Sequence, residues 1–223
     1  MLKNKKQLHI IKYLPIQLYI YEALIAKIRL STIFINCSKL YQIGSAKISS
    51  INENRQMSFT PEQQNTDSKA EYYISLGKQL APLLGSDNHW LTNISQFAGF
   101  IYQMLPDLNW AGFYMSDGKQ LFLGPYQGNV ACNPIAFGKG VCGKVAETHA
   151  YEIVKDVHQF ADHIACDSAS MSELVLPIIR DNKLLGVFDL DSPILNRFDQ
   201  QDAEGIASLL ELLMNDDFPD FTH

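Results

Sequence analysis

The chain has 223 residues, a formal net charge of −6 and 47% hydrophobic residues. That size suits one domain with an appendage or two small domains, and the apolar fraction is enough for a packed core. An acidic chain lacks the basic face that nucleic acid requires, and no run reaches the ~18 apolar residues that span a bilayer.

Charge is unevenly distributed along the chain. Before Met57 there are nine Lys or Arg against only Glu22 and Glu53, a net of +7, so the remainder carries −13. Residues 1–56 are rich in Ile, Lys, Leu, Asn and Ser, with no clear helix caps. They read as a non-core extension, either a stretch ahead of a true start at Met57 or an organellar targeting segment. Lys12 and Pro15 interrupt the early apolar run, so no secretory signal is evident. A cytoplasmic protein is therefore expected. In that reducing compartment cysteines serve catalysis, redox exchange or metal binding more often than structural disulfides. Cys37 belongs to the extension and is set aside.

Residues 57–67 are polar and read as a linker to a domain at 68–215. Asp67 or Ser68 can cap a helix from about Lys69, in which Tyr72, Leu76, Leu80 and Leu84 recur at helical spacing before Gly85. Asp87 or Asn88 can cap a second helix whose stripe runs Leu91, Ile94, Phe97, Ala98, Ile101, Met104 and Leu105, and Pro106 stops it. A strand at 109–115 returns through Asp117-Gly118 into a strand at 120–126. A loop with Gly and Cys leads to a short helix at 141–148, then a short strand at 152–154 and a loop at 156–169. Strands at 172–180 and 183–191 pair across Asp181-Asn182. Asp199 caps a last helix that buries Ala203, Ile206, Leu209, Leu210 and Leu213, and an acidic tail at 216–223 reads as frayed. Antiparallel hairpins with terminal helices predict an α+β domain, one central antiparallel sheet with helices packed on it.

The residues that carry chemistry lie between Cys132 and Asp191. Cys132, Cys142 and Cys166 fall in the loops and the short helix, and Glu173, Asp189 and Asp191 in the second hairpin. Asp189 and Asp191 alternate on one strand and so share a face, and Glu173 on the partner strand can face them. The thiols can alternatively be buried hydrophobes, or zinc ligands with His149 or His163. No Cys-x-x-Cys pair exists, which ranks metal low. His149, His158 and His163 read as surface or loop residues. Gly138, Gly140 and Gly143 lack the phosphate-loop and dinucleotide patterns and read as turn residues at a helix start that can hold a carboxylate. Trp110 is equally compatible with the core and with a ligand contact.

The runs NWAGFY, LGPYQG, ACNPIAFGKGVCGKVAET, HIACDSASMSELVLPI and GVFDLDSP together resemble the free methionine-(R)-sulfoxide reductases, small enzymes of GAF fold. The resemblance covers about Ser68 to Leu213. It implies reduction of the R epimer of free methionine sulfoxide, with no bound cofactor and with thioredoxin as external reductant. It places Cys166 as the thiol that attacks sulfur, Cys132 as its disulfide partner and Cys142 as a third thiol able to join the exchange. Glu173, Asp189 and Asp191 match acidic pocket residues, and Trp110 an aromatic near the substrate's methyl group. The fold often dimerises through helix faces, so a homodimer is expected.

The chemistry agrees with these residue types. A sulfoxide sulfur becomes electrophilic once its oxygen is protonated or hydrogen-bonded, and a thiolate then attacks it. The products are a thioether and a cysteine sulfenic acid, which a second thiol converts to a disulfide. An external dithiol restores both thiols by exchange. An ionised carboxylate pairs with the substrate ammonium, and a neutral one donates to the sulfoxide oxygen. Acids this close push their pKa values apart, which keeps one of them neutral. A GAF-type sensing module without turnover is the competing reading, disfavoured because no output domain accompanies residues 68–215.

Overall fold

The computed structural model describes residues 62, 68–85, 87–160, 168–214 and 218–222. The expectations for the extension at 1–56, for most of the linker, and for His163 and Cys166 lie outside the described residues.

Two hairpins build the centre of the sheet. β1 (Trp110–Ser116) pairs antiparallel with β2 (Gln120–Gly128), and β5 (Ser172–Arg180) with β6 (Lys183–Ser192). The hairpins join through β1 and β6, with Trp110 opposite Asp191 and Gly112 opposite Asp189. Two short strands complete the order β3-β2-β1-β6-β5-β4: β3 is Ile135–Ala136 and β4 is Glu152–Val154. Every pairing is antiparallel, as the two turn signals required. Asp181 and Asn182 carry φ of 52° and 61°, the left-handed pair that a two-residue hairpin turn needs.

Alternation along these strands sorts two faces. Ala111, Phe113 and Met115 of β1, Leu174, Leu176 and Ile178 of β5, and Phe188 and Leu190 of β6 point into the larger core. Three helices cover that face: α1 (Lys69–Leu80), α2 (Trp90–Met104) and, after α3 (Gly140–Thr148), α4 (Gln200–Leu210). Their apolar stripes supply Leu76, Phe97, Ile101, Ile206 and Leu209, all essentially inaccessible to water. The opposite face carries Trp110, Tyr114, Val175 and Val187 beneath α3, which contributes Val141, Cys142 and Val145.

A buried charge cluster ties the first helix to the last. Asp202, only 2% exposed, accepts from the Tyr73 hydroxyl at 2.9 Å and from Lys69 Nζ at 2.7 Å, and Arg197 stands 3.6 Å away. Asp202 also accepts from the backbone N–H of Asp199, while Asp199 caps α4 through the N–H groups of Gln201 and Asp202.

The structure departs from the sequence expectations in two places. Ser68 caps α1 as expected, but α2 is capped by His89, whose Nδ1 accepts from the N–H of Leu91 at 3.2 Å. Asn88 is taken up elsewhere, donating to the Leu83 carbonyl and to the Asn93 side chain, which fastens the turn between α1 and α2. The described part of the tail is packed rather than frayed. Phe218 is buried, Phe221 meets Trp90 and Phe122 edge-on, and Asp220 pairs with Lys183 at 2.7 Å.

Candidate active site

The face beneath α3 stops being apolar at one end. There Val187, Asp189 and Asp191 follow one another on the same side of β6, and Glu173 sits opposite Asp191 on β5. Glu173 and Asp189 are each only 6% exposed, and Asp191 is partly exposed. They form the floor of a cleft of about 550 Å³, counted out to its open mouth. Trp110 and Tyr114 of β1 make one wall, and Gly140, Val141 and Cys142 at the start of α3 another. Val130 and Ala131, Lys139 and the buried Ser170 line the rim. The cleft thus gathers Trp110, Cys142, Glu173, Asp189 and Asp191, residues spread over 82 positions of the chain.

The acids are arranged so that they cannot all carry charge. Cys142 Sγ, a Glu173 oxygen and an Asp189 oxygen lie within 4.8 Å of one another, all buried. Burial comes first in raising the Glu173 carboxyl well above the usual range, and the charges of Asp189 and Asp191 raise it further. Burial likewise pushes Asp189 up to about 7, although hydrogen bonds from Cys142 and Glu173 favour its charged form. The proton therefore resides on Glu173, which donates to Asp189. Cys142 is held well above the ordinary thiol range, first by burial and then by the neighbouring acids, and its S–H also donates to Asp189. Asp189 Oδ1 remains buried without a hydrogen-bond partner. A floor of this kind wants a cation: it has acceptors to offer and too much potential negative charge for its burial.

Trp110 is part of the buried core and also lines the cleft. It is 3% exposed and stacks with both Tyr114 and Tyr126, with ring centroids 5.7 and 5.2 Å away. Gly128 makes this fit: at φ 124° it lies where a Cβ would come within 2.7 Å of the indole.

At the other wall, α3 begins at Gly140, itself at φ 61°, with no side chain capping its first turn. A helix start left this way presents backbone N–H groups to the cleft, a place for an anion. Lys139, the residue just before it, also lines the rim. The glycine-rich start is thus a turn that feeds a helix, as its spacing implied.

The thiols differ in state. Cys142 is a free, buried thiol. Cys132 is half-buried and disulfide-bonded, its partner lying outside the described residues. Cys132 is carried on the 129–134 loop beside the mouth of the cleft, where Val130 and Ala131 reach the rim. His149 is the exposed, left-handed C-cap of α3, and His158 is exposed in a short 3-10 turn after Asp156. Among the described residues, the cluster whose atoms could hold a metal ion joins Cys142 to Glu173 and Asp189 and includes neither histidine. Tyr114, Lys139 and Ser170 were not singled out from sequence. Tyr114 was within reach of it, since it follows Trp110 by four residues on a strand and so shares its face.

Residues 93–215 match the family model described as GAF domain. The free methionine-R-sulfoxide reductase of Escherichia coli is 39% identical over 145 residues, covering 65% of this chain and 88% of that protein. The protein of the same name from Saccharomyces cerevisiae is 44% identical over 133 residues, covering 56% and 74%. Among solved structures, the free methionine-R-sulfoxide reductase of Neisseria meningitidis in complex with its substrate superposes with a TM-score of 0.66. It is 34% identical and covers 70% of this chain and 93% of that one.

Proposed function

Because the chain belongs to the free methionine-(R)-sulfoxide reductase family of GAF-domain proteins, we propose that it reduces free L-methionine-(R)-sulfoxide to methionine through cysteine thiols at this cleft. The observation that carries the reading is the buried acid floor with its unpartnered Asp189 Oδ1, set opposite an uncapped helix start. One end suits an ammonium group and the other a carboxylate, the two charges of a free amino acid. A residue inside a polypeptide has neither. Trp110, which also lines the cleft, supplies an apolar contact for the sulfur substituents.

Asp189 and Asp191 hold the ammonium, and the protonated Glu173 donates to the sulfoxide oxygen. The Cys166 thiolate attacks the sulfur, its role resting on the sequence resemblance. The oxygen leaves with the cysteine sulfur as a sulfenic acid, and methionine departs. Cys132 then attacks that sulfenic sulfur, forming the disulfide and releasing water. Its half-buried position on a loop and its disulfide-bonded state support this assignment. Cys142 serves Asp189 as a hydrogen-bond donor, because burial keeps its thiol protonated and so non-nucleophilic. A thioredoxin-type dithiol reduces the disulfide by exchange, and no bound cofactor is required. This cycle belongs in a reducing compartment, the cytoplasm. Among the described residues no helix is long and apolar enough to cross a membrane.

The test follows NADPH oxidation with a thioredoxin system and free L-methionine-(R)-sulfoxide. Cys166→Ser is expected to abolish turnover, and Cys132→Ser to release one equivalent of methionine and then stall. Undiminished turnover by Cys166→Ser sinks the assignment.

A further inference from the structure

The loop that carries Cys132 is held from outside by three hydrogen bonds, none of them made by Cys132's sulfur. The Tyr114 hydroxyl donates to the Cys132 carbonyl at 3.1 Å. The N–H of Leu123 in β2 donates to the side-chain oxygen of Asn133 at 2.8 Å. The indole N–H of Trp110 donates to the Asn129 carbonyl at 3.2 Å. Anchors thus fall on the thiol's own residue, on the next residue and at the loop's start, and all three reach back to the first hairpin. Two of the three donors, Trp110 and Tyr114, are also walls of the substrate cleft. The remainder of the loop is loosely packed: Asn129, Val130, Asn133 and Pro134 are exposed, with Val130 at 84%. In the oxidised protein the disulfide holds the Cys132 sulfur, and once it is reduced these hydrogen bonds remain to limit where the released thiol can stand.

We propose that Tyr114 and Asn133 are positioning residues for Cys132, holding its sulfur where it captures the sulfenic acid before competing nucleophiles do. The inference rests on the resolving role given above to Cys132. In the step concerned, the Cys132 thiolate attacks the sulfenic sulfur of the partner cysteine. An S–S bond forms as the S–O bond breaks, and the departing hydroxide takes up a proton as water. The rate of such an intramolecular capture depends on how much of the time the attacking sulfur is in line. Loss of one tether lowers that fraction without touching either sulfur. Pocket wall and thiol loop are thereby linked, with Trp110 and Tyr114 serving both.

The experiment measures partition in a single turnover. Fully reduced enzyme without external reductant is mixed with one equivalent of free L-methionine-(R)-sulfoxide and a cyclic 1,3-dione that traps sulfenic acid, and intact-mass analysis gives trapped adduct against disulfide. The ratio is independent of how fast substrate binds or reacts, so altered affinity in Tyr114→Phe does not move it. Cys132→Ser is the control and is expected to give adduct only. If it gives none, the resolving role itself fails and the inference falls with it. Tyr114→Phe and Asn133→Ala are each expected to raise the adduct-to-disulfide ratio about 3- to 10-fold, the effect of one net hydrogen bond. Asn133→Asp keeps the acceptor oxygen and is expected to stay at the wild-type ratio. Asn133 is exposed and lies outside the cleft, so its variants keep the fold and the substrate contacts. Wild-type ratios in both Tyr114→Phe and Asn133→Ala, with Cys132→Ser giving adduct, overturn the proposal.

Discussion

Asp189→Asn should make the substrate-free protein more stable at pH 8 and leave it nearly unchanged at pH 4. Asp189 sits 6% exposed with its carboxyl pushed from the ordinary 3.8 up to about 7, chiefly by burial. An acid whose native pKa exceeds its unfolded one binds more protons when folded. Stability therefore falls as pH rises from about 4 to about 7, and the full penalty is present above that window. At ~1.4 kcal/mol per pKa unit the ionised group costs the fold about 4 kcal/mol. Part of that belongs to the proton shared with Glu173, so the expected net gain on substitution is about 2–3 kcal/mol at pH 8. For a domain of this size that raises Tm by about 5–10 °C. Thermal melts of wild type and variant at pH 4.5, 6 and 8 measure it. Activity should collapse in the same variant, since the amide cannot pair with the substrate ammonium. A pH-independent effect, or a loss of stability at pH 8, would refute the electrostatic account of the cleft floor.

Other predictions bear on the acid and on the scaffold. Glu173→Gln keeps a donor toward Asp189 but removes the transferable proton, so kcat should fall about 10²- to 10⁴-fold while the fold is retained, as stopped-time methionine assays and circular dichroism would show. Asp202→Asn removes the buried one of the two carboxylates that hold Lys69, leaving Asp199, and weakens the tie to Tyr73 and Arg197; chemical denaturation should report a loss of about 2–3 kcal/mol with the cleft's activity intact below the transition. Gly205→Ala should destabilise by about 1–3 kcal/mol although alanine is the better helix former, because its methyl would come within 2.2 Å of the Tyr73 ring. An equal or higher urea midpoint for that variant would show that the α1–α4 contact yields.

Sequence was most informative where periodicity and turn chemistry acted locally. Both central hairpins were legible from alternation and from the Asp-Gly and Asp-Asn turns, and Ser68 and Asp199 from N-cap chemistry. The convergence of Glu173, Asp189 and Asp191 was legible because a two-residue turn fixes register. Features set by distant partners were not. β3 is two residues long, too short to show a period, and exists because β2 offers an edge. His89 caps α2 because Asn88 is drawn to Leu83 and Asn93, a competition that no local pattern displays. Asp202 reads on a helical wheel as an ordinary first-turn acid, yet it is buried by Tyr73, Lys69 and Arg197 from elsewhere. Phe218 and Phe221 sit among acidic residues that suggested a solvated end, and aromatic packing onto Trp90 and Phe122 prevails.

The two outermost strands, Ile135–Ala136 and Glu152–Val154, have a bearing on how these molecules coexist at high concentration. A long unpaired rim would let neighbouring copies zip together through their backbones. Here β3 and β4 cover only Gln120–Leu121 of β2 and Glu173–Val175 of β5, and in the uncovered lengths Pro125 and Pro177 offer no N–H to a neighbour. The longest strand, β6 with ten residues, is kept inside the sheet, paired on both sides by β1 and β5. Zipping of neighbouring copies is thus opposed by where the prolines stand, apart from anything the acidic surface adds.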